Sequence, residues 1–135
     1  MKKNNNKNSS ITLNTSLQAW KKIEEIKELI DEQHKHNNYH LTIRELSLKF
    51  FMSKSLITKT FRLRYHTSVH QYIIQQKMEY AKILLLNNRE QSITKIAEKL
   101  GYSLSSNFTR DFKKHTGNLP LQFSKRAFLS NTSDY

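Results

Sequence analysis

Apolar positions repeat at helical spacing in the first third of the chain, where Leu17, Trp20, Ile23, Ile26, Leu29 and Ile30 mark one face up to about His36. Thr15 to Gln18 reads as a capping box that opens this helix, with acids on its outer side. Residues 1 to 14 are dominated by Asn, Lys and Ser with almost nothing to bury, and predict a flexible basic arm. Thr42 to Glu45 forms a second capping box, opening a short helix to about Phe50, and Ser53 caps the next, to about Tyr65. Ser68 to Gln71 is a third box. It opens a long helix to about Leu86, with Tyr72, Ile73, Met78, Ala81, Leu84 and Leu85 spread over more than one side. Ser92 caps a helix from Ile93 to Leu100, Gly101 supplies a turn, and Ser103 precedes a helix to about His115. Gly117 and Pro120 end that helix and start a last short one.

With two glycines, one proline and no segment of strict apolar and polar alternation, the pattern predicts an all-α fold. Its predicted order is a flexible basic arm (1–14), an N-terminal helix (15–38), a helix-turn-helix subdomain (39–66), a linker helix (67–88), a second helix-turn-helix subdomain (89–127) and a flexible tail (128–135).

The halves repeat one another. Thr42 and Ser92, Leu46 and Ile96, and Ser53 and Ser103 are each fifty residues apart. Ile57 and Phe108, Lys59 and Arg110, Phe61 and Phe112, Arg62 and Lys113, and Tyr72 and Phe123 are fifty-one apart, as one extra residue at the start of the second unit's second helix would produce. Each unit has an amphipathic helix, a short turn and a second helix with apolar anchors, which is helix-turn-helix grammar.

Charge adds a partner to this pattern. Lys and Arg number 23 against 11 acids, for a net charge of +12, which draws the protein towards a polyanion. Glu24, Glu25, Glu28, Asp31 and Glu32 lie together in the first helix, whereas Leu46 to Arg89 holds eight cations and only Glu79. The cationic surplus therefore belongs to the repeated units. No apolar run approaches the roughly 20 residues that span a bilayer. The first residues lack a signal peptide's apolar stretch, and there is no cysteine, so a cytoplasmic protein without membrane contact is expected.

An α-helix fits the major groove, where Lys59 or Arg110 can address guanine, Asn107 can pair with adenine, and hydroxyls tolerate close approach to base edges. With Ile57 and Phe61 as anchors, Ser55, Thr58, Lys59 and Arg62 face outward. With Phe108 and Phe112 as anchors, Ser105, Ser106, Asn107, Arg110 and Lys113 do. Lys54, Arg62, Arg64, Lys113 and Lys114 suit phosphates, and Lys77 and Ser103 complete that expected set. A linker of about 18 residues is about 27 Å long, against roughly 34 Å for a duplex repeat, so two readers on one chain suit adjacent major-groove segments.

These residues resemble the DNA-binding domain of the AraC/XylS family from about Leu41 to Arg126. The most specific part is Ile96, Ala97, Gly101, Tyr102, Ser103, Ser106, Asn107, Phe108, Phe112, Lys113, Gly117 and Pro120. Leu46, Ser53, Ile57, Phe61 and Arg62 fit in the first unit, and Tyr72, Ala81, Leu84 and Leu85 in the linker. The resemblance implies sequence-specific double-stranded DNA binding and transcription regulation. Ser55, Thr58 and Lys59 would meet bases from one recognition helix (about 54–65), and Ser105, Ser106, Asn107 and Arg110 from the other (about 104–115). RNA polymerase or a partner regulator is the expected protein partner. His66 stands where the family usually has glycine, Lys77 where the linker usually has arginine, and Ser124 where arginine commonly follows the last aromatic. The family usually adds a sensor or dimerisation module, and 135 residues leave room for no small-molecule effector domain. The first helix is expected to pack on the first unit or to offer a dimer or partner surface.

Other classes fit less well. His34, His36 and His40 cluster, and His66 and His70 are four apart, but neither set has the ligand number and geometry of a metal site. Without a phosphate loop, nucleophile elbow or paired carboxylates, neither an enzyme nor a cofactor is expected. The rival is a protein-interaction module with the same fold that binds a partner regulator instead of DNA. RNA binding is weakened by the lack of an aromatic stacking platform.

Overall fold

The computed structural model describes residues 2–37, 39–87 and 91–125, with side chains from Ser16 onward. Every regular element among them is helical: α1 (Lys2–Asp31), α2 (Ile43–Phe50), α3 (Lys54–Tyr65), α4 (Val69–Asn87), α5 (Ile93–Lys99), α6 (Ser105–Thr116) and α7, described over 120–125. The expected tail, 128–135, lies outside the described residues.

Four of the boundaries rest on local chemistry. Thr42 Oγ1 accepts from the Glu45 amide at 3.2 Å, Ser53 Oγ from Leu56 at 3.1 Å, Ser68 Oγ from Gln71 at 3.1 Å and Ser92 Oγ from Lys95 at 3.2 Å. Each satisfies an amide that the first helical turn leaves without a partner. The turn inside each helix-turn-helix needs a left-handed residue: Phe51 (φ 53°) in the first and Gly101 (φ 86°) in the second. Glycine is demanded twice over at 101, because a Cβ there would lie 3.2 Å from the Tyr39 carbonyl oxygen.

The N-terminal segment departs from expectation. Helical backbone begins at Lys2, so the segment expected as an arm is helical and Thr15 to Gln18 lies inside α1 instead of capping it. No glycine or proline interrupts the run, and extending a formed helix is cheap compared with nucleating one. Leu17 and Trp20, expected on the inner face, are 55% and 40% exposed. Residues spaced by three fall about 60° behind the helical repeat at each step, which rotates the early members of the series out of the buried stripe. Ala19, Ile23, Ile26 and Ile30 form that stripe.

The chain divides into two compact units, Met1–Gln33 with Leu41–Ile73, and His34–His40 with Ile74–Tyr135. In the first unit α1 packs on the helix-turn-helix, its stripe meeting Leu46, Ile57, Phe61, Val69 and Ile73 in one apolar core. Gln33 is buried here and donates from Nε2 to the Ile73 carbonyl at 3.3 Å. In the second unit Met78, Ala81, Leu84 and Leu85 of α4 pack with Ile96, Ala97, Leu100, Phe108, Phe112 and Tyr39. The apolar spread of the long helix is thereby accounted for: its first turn serves one core and its remainder the other.

Candidate nucleic-acid interface

In the first unit α3 is fixed from one side. Ile57 and Phe61 are fully buried, and the Phe61 ring packs against Tyr65 and Tyr72 at 4.9 and 5.5 Å between centroids. The opposite face carries Lys54, Ser55, Thr58, Lys59 and Arg62, all exposed. Thr58 Oγ1 donates to the Lys54 carbonyl at 2.8 Å, so its hydrogen is engaged and its lone pairs stay open to a donor.

The second unit repeats this arrangement. Phe108 and Phe112 are fully buried in a row of ring contacts from Tyr102 through to Phe123. Ser103, Ser106, Arg110, Lys113 and Lys114 are exposed, while Ser105 and Asn107 are half-buried. Arg110 Nε lies 3.7 Å from Asp111 Oδ1 with its side chain 72% exposed, a loose pair that leaves the guanidinium available. Asp111 is held from behind by the Tyr102 hydroxyl, which donates to Oδ2 at 2.8 Å. Burial first, and that hydrogen bond second, push the Tyr102 hydroxyl well above its ordinary value.

Two cations of the expected phosphate set are engaged inside their units. Arg64 donates from Nη1 to the Trp20 carbonyl at 2.5 Å, stacks over the Trp20 ring at 4.9 Å and approaches Glu24 at 3.4 Å. Lys77 donates to the Tyr39 carbonyl at 2.9 Å and lies 5.1 Å from the centre of the Tyr102 ring. Burial lowers the Lys77 ammonium's pKa, and Asp111 partly offsets that. Sequence spacing carried no sign of these contacts, whose partners stand 44 and 38 residues away.

A further tie in the second unit also escaped the sequence reading. His115 Nε2 lies 3.0 Å from Glu79 Oε1, fastening the end of α6 to α4. That hydrogen bond is the main reason the Glu79 carboxyl sits below its ordinary value. As for the histidines, His66 is the residue that closes α3 and precedes α4, so its spacing from His70 does not place both on one helix. No group of three metal-ligating side chains that could hold an ion occurs among the described residues. Nor is any helix among them long and apolar enough to cross a membrane.

Residues 46–126, more than half of the chain, match the helix-turn-helix domain family of AraC type. The chain belongs to the AraC-type helix-turn-helix family. Among its relatives, the Msm operon regulatory protein of Streptococcus mutans serotype c is 30% identical over 112 residues, covering 83% of this chain and 38% of that protein. A probable AraC family transcriptional regulator from Rhodopseudomonas palustris shares the fold with a TM-score of 0.67 at 23% identity, over 79% of this chain and 97% of that one. The DNA-binding domain of AdpA, a global transcriptional factor solved in complex with a target DNA, gives a TM-score of 0.66 at 19% identity, over 75% of this chain and 90% of that one. Such coverage exceeds what residues from 46 onward could supply, so the shared AraC-type fold reaches back before Leu46. The chain spans 28% to 55% of the length of the curated relatives it matches.

Proposed function

We propose that this AraC-type domain binds double-stranded DNA sequence-specifically and so regulates transcription, with α3 and α6 as recognition helices entering adjacent major-groove segments. The observation that carries the reading is found once in each unit: a helix pinned by buried apolar anchors opens a cation and short hydroxyls on its far face. Lys59 and Arg110 then address base edges as donors, with Ser55, Thr58, Ser105, Ser106 and Asn107 beside them. Lys54, Arg62, Ser103, Lys113 and Lys114 take phosphates, which set register without reading sequence. Arg64 and Lys77 serve the fold behind those helices, through Trp20 and Tyr39. The AdpA domain, whose structure was solved with target DNA, supports the reading through its shared fold. Contacts with RNA polymerase or a partner regulator, and a cytoplasmic site of action, belong to the same proposal.

The test is selection of bound sequences from a random duplex pool, followed by Lys59→Ala and Arg110→Ala. Each substitution relaxes the preference at one part of the selected site, at about 1–3 kcal/mol. Equal losses on selected and random duplex would move that residue to the phosphate-contacting class. A pool without enrichment would overturn the reading in favour of a protein-interaction module.

A further inference from the structure

The second recognition helix starts differently from the first. In the first unit Ser53 caps α3 and accepts from the Leu56 amide. The extra residue in the second unit displaces Ser103 from the equivalent place, and Leu104 takes the cap position of α6, at φ −124° and ψ 128°, with no side-chain hydrogen bond. A leucine there offers no side-chain acceptor, and the Asn107 amide, the counterpart of Leu56, donates instead to the Leu104 carbonyl at 3.1 Å. It is also 60% exposed, flanked in the chain by Ser103, Ser105 and Ser106. The helix start is thus closed by backbone alone, and the residue that holds it leaves an aliphatic side chain in water.

In helix-turn-helix proteins the N-terminal residues of the recognition helix are those that meet base edges. Among major-groove features, hydrogen-bonding edges and phosphates offer an isobutyl group nothing, and the one apolar feature is the 5-methyl of thymine. We infer that Leu104 is a specificity-determining residue that packs on a pyrimidine 5-methyl group in the bound duplex. The inference rests on the DNA-binding reading above. The same chemistry is presented by thymine and by 5-methylcytosine.

The experiment uses the full chain and its selected duplex, with each thymine replaced in turn by uracil, which removes only the methyl group. Affinity is measured for the native chain, Leu104→Ala and Leu104→Ser, the last restoring a capping side chain and so protecting the fold. At one thymine, uracil weakens native binding about four-fold, the worth of one buried carbon, and has no effect on either variant. If the sensitive position selects cytosine instead, 5-methylation strengthens native binding by the same factor and leaves the variants unchanged. Equal methyl effects in native and variant chains, or no methyl-sensitive position, would overturn the inference while the DNA reading stands. Failure to enrich any duplex would instead remove the reading beneath it.

Discussion

His66 closes α3 in a left-handed conformation, φ 59° and ψ 24°, and its amide donates to the Arg62 carbonyl at 2.9 Å. Side chains with a Cβ resist that backbone by roughly 1–2 kcal/mol, which is why glycine is common after a helix. The glycine usual at this place in AraC-type chains therefore answers a demand of the backbone, and His66 meets it at a cost. His66→Gly should raise stability by up to about 1 kcal/mol, since glycine gives back part of the gain as extra freedom in the unfolded chain. Urea unfolding measures this, and a clear loss of stability would show that the exposed imidazole makes a contact worth more than the strain.

At the scale of elements, the caps carry most of what the sequence made legible. Thr42, Ser53, Ser68 and Ser92 start their helices because the acceptor and the amide it satisfies are three residues apart, a relation visible in the chain itself. Ser53→Ala should accordingly cost about 1 kcal/mol, read by thermal melting, with the Leu56 amide left to water. A melting curve unchanged by this substitution would mean that packing of Phe61 alone holds α3. The same local logic misplaced the start of α1, because Thr15 to Gln18 has a cap's composition within a run that nothing interrupts. It also gave Ser103 a place beside α6 without revealing that Leu104 holds the cap. The anchors Ile57, Phe61, Phe108 and Phe112 were legible from their spacing. The engagement of Arg64 by Trp20 and of Lys77 by Tyr39 was not, since it depends on which distant segments pack together.

For the molecule as a whole, what matters is how its charge is allotted. Four of its eleven acids lie in α1 and Glu32 directly follows it, while the open faces of α3 and α6 carry Lys54, Lys59, Arg62, Arg110, Lys113 and Lys114. Six of its 23 cations thus stand exposed on the second helices of the two helix-turn-helix units. Such a surface releases condensed counterions when it binds duplex DNA, and its affinity must respond to salt. The decisive measurement is the dissociation constant for random duplex across a salt series. With Lys54, Arg62, Lys113 and Lys114 on phosphates, log affinity should fall against log salt with a slope of at least about 3.6, at about 0.9 per contact. An affinity that stays flat between about 50 and 200 mM salt, or no duplex binding at low salt, would contradict the account.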